Sequence, residues 1–188
     1  MSTLKTIARR LAGVSCVPFR AVLARRVPLL SLIRISPPDF LHTSGKPGRY
    51  NPAGVLCVYF GEDEDTARLE YERLWVGTPA QKQPVGLYFA RIRLTKVLDL
   101  TSAATLKKLK LLNADLHRSW RGVKPIKTQK LGLAVSTQTA ICAVRYPSDA
   151  AAASGKAGTN LVIFRNRVVA PDYVQILGPD KRPLQAWP

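Results

Sequence analysis

The residues best suited to chemistry crowd between Arg34 and Glu70. Arg34 interrupts the apolar run Leu32-Ile33-Arg34-Ile35. Arg49 and Tyr50 follow in a Gly/Pro loop, Tyr59 stands near the end of the next apolar run, and Glu70 falls between Ala67 and Leu74. A guanidinium in an apolar strand must leave the core or meet an anion, and its planar fork suits a carboxylate or a phosphate. Arg34 is therefore half of a structural ion pair, an edge-strand charge, or an anion-binding group. Glu70 has a similar duality. It could pair with a cation one turn away, yet Ala67, Glu70 and Leu74 share one helix face, which sets a carboxylate on a core-facing stripe in need of a partner. Tyr50 and Tyr59 serve either as core aromatics or as ring platforms for a ligand. A site that grips an anion and aims a carboxylate is a natural place for this mixture.

Other chemistries lose ground. The two histidines, His42 and His117, lie far apart without a metal-ligand pattern, so no metal centre is expected. No H-E-x-x-H, G-x-S-x-G, P-loop or G-x-G-x-x-G motif occurs. Three cysteines (Cys16, Cys57, Cys142) without C-x-x-C spacing give no disulfide framework and fit a reducing cytoplasm.

The elements that must position these residues follow from apolar period and punctuation. Residues 1–28 are basic and rich in Ala, Leu and Arg, with helical spacing at Leu4, Ile7 and Leu11, and are expected to form a helical extension ahead of one domain over 29–188. An Arg-rich, acid-free lead also describes a transit peptide, but serine richness is lacking and no cleavage-type site follows an apolar core. Short strands are expected over 28–36 and 55–60, with a Gly/Pro loop over 37–54 between them. Glu62-Asp63-Glu64-Asp65 opens a helix with body 66–75, the acids standing where the helix dipole favours them. A long strand over 85–97, a capped helix over 103–112, a helix over 128–137 and strands over 141–146, 161–164 and 174–177 complete the reading, with 147–160 a loop and the end Pro-rich. Strands outnumber helices without regular alternation, so the expected class is α+β: mixed or antiparallel sheets with flanking helices, and no doubly wound sheet.

The 188 residues suffice for one domain with a real core. Hydrophobic residues at 46% and charged ones at 22% argue against disorder and fibrous repeats. The uncharged runs 11–19 and 27–33 are too short to span a bilayer, so no membrane partner is expected. The charge is unusual: 29 Lys+Arg against 12 Asp+Glu, a net of +17. Such an excess attracts polyanions and makes nucleic-acid binding a competing function. Aromatics are not interleaved with the basic residues along the chain, as single-strand binding prefers. The plainer reading is a solvated basic surface with an acidic partner.

Several segments together resemble the RES-domain family, the toxins of bacterial RES–Xre toxin–antitoxin modules. They are Ile33-Arg34-Ile35, Pro47-Gly48-Arg49-Tyr50-Asn51-Pro52-Ala53-Gly54, Val58-Tyr59-Phe60 and Ala67-Arg68-Leu69-Glu70, followed by Leu98-Asp99-Leu100-Thr101, Thr128-Gln129-Lys130-Leu131-Gly132, Tyr146-Pro147-Ser148 and Asn160-Leu161-Val162-Ile163-Phe164. The likeness covers roughly 29–178. Two departures stand out: Tyr50 replaces the family's tryptophan, and the basic lead before residue 29 is longer. Ser148 and Thr128 are alternative sources of the family's serine.

The resemblance implies a fold similar to ADP-ribosyltransferase toxins and NAD as substrate, with no further cofactor. NAD would be degraded by hydrolysis or phosphorolysis, or its ADP-ribose passed to a protein. It also implies an Xre-type helix-turn-helix antitoxin as partner, contact with DNA only through that antitoxin, and a cytoplasmic location; a homo-oligomer stays open. The residues suit the chemistry. Breaking the nicotinamide–ribose bond passes through an oxocarbenium-like state. Glu70 would hold the ribose and stabilise developing positive charge. Arg34 and Arg49 would clamp the pyrophosphate. Tyr50 and Tyr59 would flank nicotinamide, and Thr128 and Ser148 would complete the NAD site. Nicotinamide leaves as a neutral base, so neither a histidine nor a metal is needed.

Overall fold

The organising element is β3, Val85–Asp99, whose burial alternates from Leu87 to Thr95. Tyr88, Ala90, Ile92 and Leu94 face the core while Phe89 and Arg93 are exposed, the period of two that a half-buried strand requires. The computed structural model describes residues 3–33, 39–41, 43, 45–78, 81, 83–121 and 125–188. One edge of β3 carries β1 (Val17–Pro28) antiparallel, from Val17↔Val97 to Pro28↔Val85. β1 meets β2 (Cys57–Gly61) at Ala24↔Gly61. β2 pairs with β5 (Thr159–Phe164), β5 with β4 (Ala143–Pro147), and β4 returns to β3 as a parallel partner at Val97–Asp99. These pairings close a ring. From the other edge of β3, β6 (Tyr173–Leu177) and β7 (Pro183–Trp187) extend the sheet to seven strands. The mixed, mostly antiparallel sheet with flanking helices is the α+β arrangement expected.

β4 and β5 have apolar residues on both faces and separate two cores. Ala143, Leu161 and Ile163 join Leu23, Phe60 and Ile92 on one side, while Val144, Val162 and Phe164 join Tyr50, Leu116 and Leu131 on the other. Burial on both faces is why Leu161–Phe164 reads as an unbroken apolar run. Helix α6 (Lys127–Gln138) closes the second core, and a Cβ at its Gly132 would stand 1.5 Å from the Tyr50 carbonyl oxygen. Only glycine permits that approach.

Several expectations need correction. Among the described residues, the helical extension expected over 1–28 is helical only in α1, Leu4–Ala12; Val17–Pro28 is β1, so most of the second half of the segment belongs to the main sheet. Phe19, Ala21 and Leu23 alternate with Arg20 and Val22, and pairing with β3 decides between the two periods. The strand expected over 28–36 is instead a turn of helix, α2, at Leu29–Ile33. Arg34 and the rest of that stretch to residue 36 lie outside the described residues. After helix α4, Ala103–Leu109, the short helices α5 (Asn113–His117) and α7 (Asp149–Ala153) were not foreseen, nor was β7. Leu74, expected on a buried face, is 42% exposed.

Candidate active site

Glu70 is carried by α3, Glu64–Trp75. The helix is fixed at its start, where the Asp63 carboxylate accepts the Thr66 N–H at 2.7 Å. Its first turn lies directly on the end of β2: a Cβ on Gly61 would fall 2.6 Å from the Ala67 nitrogen. Thr66, Ala67 and Tyr71 are buried, and Glu70 lies on the same flank.

Two strand ends bring the partners. In β5 Asn160 pairs with Gly61 on one side and Tyr146 on the other. Ser148 follows β4 and caps α7, accepting the Ala151 N–H at 3.1 Å. The Ser148 hydroxyl and the Asn160 amide each donate to Glu70 Oε1 at 2.7 Å. Ser148 is 1% exposed and Asn160 4%, so both donors are fixed by their surroundings. Among the described residues no donor reaches Oε2. Tyr146 is buried nearby, its phenol held well above its ordinary pKa by burial and then by the Glu70 charge.

The Gly48–Asn51 loop is pinned from every side. Gln129 Nε2 donates to the Gly48 carbonyl at 2.9 Å, and the Thr128 hydroxyl to the Arg49 carbonyl at 2.8 Å. The Tyr59 hydroxyl accepts the Tyr50 N–H at 3.0 Å and donates to Asn51 Oδ1 at 2.7 Å. The Arg49 guanidinium reaches Asp149 Oδ2 at 2.5 Å, the Arg118 carbonyl at 3.2 Å and the Leu116 carbonyl. Asp149 also meets His117 Nδ1, and Arg73 at 3.9 Å. Because Asp149 directly follows Ser148, the arginine cluster and the Glu70 group share one helix start.

The sequence-derived residues therefore divide. Glu70 and Ser148 touch, and Arg49 joins them through Asp149. Of the two candidates for the serine, Ser148 reaches Glu70, whereas Thr128 and Tyr59 brace the Gly48–Asn51 loop. Tyr50 is a correction: it is completely buried, its ring 4.4 Å from that of Tyr146, so it forms the floor and offers nicotinamide no surface. Arg34 lies outside the described residues. Sequence reasoning missed roles for Asn160, Asp149, Arg73 and His117. The available signal was a polar residue opening the apolar run 161–164.

Among the described residues no group of His, Cys, Asp and Glu could hold a metal, and no helix is long and apolar enough to cross a membrane. A cavity of about 530 Å³ lies by α1, lined by Leu11, Cys16, Lys96 and Ile141 among others, and its lining includes none of the residues joined to Glu70.

No curated protein matches the chain. Among solved structures it is similar to a chain of the M. tuberculosis MbcT–MbcA toxin–antitoxin complex, with a TM-score of 0.69 and 20% identity over 96% of this chain and 90% of that one. The RES domain model matches residues 26–185, a span that holds Arg49, Glu70, Ser148 and Asn160 together with β2, β3, β4 and β5 of the ring and the last three residues of β1, and the chain belongs to the RES-domain family.

Proposed function

We propose that this protein is the toxin of a toxin–antitoxin pair and consumes NAD by breaking the bond between nicotinamide and ribose. The observation that carries the reading is the Glu70 carboxylate, held through Oε1 by Ser148 and Asn160, with no donor on Oε2 among the described residues. Oε2 would accept a ribose hydroxyl and face the positive charge that develops as the bonding pair leaves with nicotinamide. Fixing one oxygen with two buried donors holds the other in place before the substrate arrives, which is the preorganisation such stabilisation needs. Arg49, with Arg34 assigned by family resemblance, would take the pyrophosphate, and NAD would be the only small molecule required. Water, phosphate or a protein side chain then captures the ribosyl centre. The partner would be an Xre-type helix-turn-helix antitoxin with an acidic segment over the cleft, associating faster at low salt.

Product analysis of NAD incubated with the purified protein, with and without phosphate, tests the reaction and identifies the acceptor. Glu70→Gln should keep the fold and slow NAD loss at least about a hundredfold. Undiminished turnover in that variant would remove Glu70 from the chemistry.

A further inference from the structure

Part of the sheet's outward face lies open. The inward residues of β1, β3 and β6, such as Leu23, Ile92 and Val174, make core. The outward residues form cross-strand rows: Arg20 beside Arg93 beside Tyr173, then Val22 beside Arg91 beside Gln175, then Phe89 beside Leu177. Arg20 and Arg93 are exposed, Phe89 is 40% exposed, and Arg91 and Tyr173 are half-buried. None of the chain's twelve acidic residues stands in these rows. Asp172, beside Tyr173 in sequence, is buried with its carboxylate on the Thr95 N–H and hydroxyl. Among the described residues none of the three arginines makes an ion pair.

Placing two like charges directly opposite on antiparallel strands destabilises the sheet, so this pattern does not serve the fold. It does serve a ligand that alternates anions with flat apolar rings. We propose that this face binds single-stranded nucleic acid, with bases stacked on Phe89 and Tyr173 and phosphates on Arg20, Arg91 and Arg93. Phe89 and Arg91 are two strand positions apart on β3, about 7 Å, and Tyr173 lies directly across from Arg93. An open sheet face with exposed aromatics is a platform on which unpaired bases stack. Guanidinium groups, which grip phosphate through paired donors, provide all the charge of the patch. An acidic peptide would use the charges but would have no need of the rings. Phe89, Arg91 and Arg93 share one face of β3, and Arg20 of β1 and Tyr173 of β6 extend the pattern across the strands.

Anisotropy of the intact protein with labelled RNA and DNA single strands of about twelve nucleotides tests this. Three phosphate contacts give a log–log salt slope near −2, so affinity should fall about 18-fold between about 50 and about 200 mM salt. Arg91→Gln should lower that slope by about 0.7, and Phe89→Ala should weaken binding at least about fivefold, both with unchanged melting temperature. Lys107→Gln, on exposed α4, should leave affinity as it is. Equal losses in Lys107→Gln and Arg91→Gln would mean diffuse attraction to a basic protein and overturn the proposal. Competition by polyglutamate with no effect of Phe89→Ala would overturn it in favour of an acidic protein segment, and absence of binding at low salt would overturn it outright.

Discussion

Replacing Ser148 by alanine removes one oxygen that serves two partners at once. It donates to Glu70 Oε1 at 2.7 Å and accepts the Ala151 N–H at 3.1 Å. Loss of the helix cap costs about 1 kcal/mol. Loss of a hydrogen bond to a carboxylate costs about 1.5–3 kcal/mol when buried, and about half of that here, since Glu70 is half-exposed and keeps Asn160. The sum, about 2–2.5 kcal/mol, lowers the melting temperature of a chain this size by about 4–10 °C. In turnover, a carboxylate held from one side only should slow NAD loss about tenfold, equivalent to about 1.4 kcal/mol of positioning. Ser148→Thr, which keeps the hydroxyl, should recover most of both. A double-mutant cycle with Glu70→Gln, read by NAD consumption and by urea denaturation, separates the two roles. In the Glu70→Gln background Ser148→Ala should cost no further turnover, while the cap penalty of about 1 kcal/mol persists. Losses that multiply in the double variant would show that Ser148 acts on the substrate by a route other than Glu70, and the positioning argument would fall.

Arg49→Ala leaves Asp149, 8% exposed in its side chain, with His117 and the distant Arg73 as its remaining cations among the described residues; it should destabilise the fold by about 3 kcal/mol, and an unchanged denaturation midpoint would contradict that. Gly132→Ala drives a methyl group onto the Tyr50 carbonyl and should cost about 3 kcal/mol or prevent folding, which thermal melting would detect. Burial pushes the Cys57 and Cys142 thiols from an ordinary 9.0 to about 12 and holds the Tyr50 and Tyr59 phenols above 10.0. Each group is neutral when folded and ionises more readily when unfolded, so the stability it contributes is whole below about pH 9 and drains away towards pH 12. Urea midpoints that stay level over that range would rule this out.

What could be read from the sequence was whatever a local pattern carries. Strand β3 announces itself by alternation, α3 by its acidic start, and Glu70 by a carboxylate among apolar neighbours. Ser148 was found through its motif, but its partner was not visible, because Glu70 and Ser148 meet only when two strand ends and a helix converge. Asn160 reads as the edge of a turn until β5 is paired on both sides. Helix α7 is five residues of an Ala-rich stretch ending near Gly155 and Gly158, which reads as linker. Residues 17–28 fit two periods, and the choice rests on β3, far along the chain. The ion pair of Arg49 with Asp149 likewise joins positions that no spacing rule connects.

The closure of the ring also orders events in time. Strand β1 finds its longest partner only once β3 has been made, and Glu70 waits for Asn160, ninety residues further on. At about 5–20 residues per second, the ribosome takes about 5–18 s to cover that interval. Until Ser148 has been made, 78 residues after Glu70, the carboxylate has neither partner, and Asn160 follows only later, 90 residues on. On the proposed function the chain would be inactive until β5 has been made and paired, an interval in which a protecting partner could be on hand before there is anything to restrain.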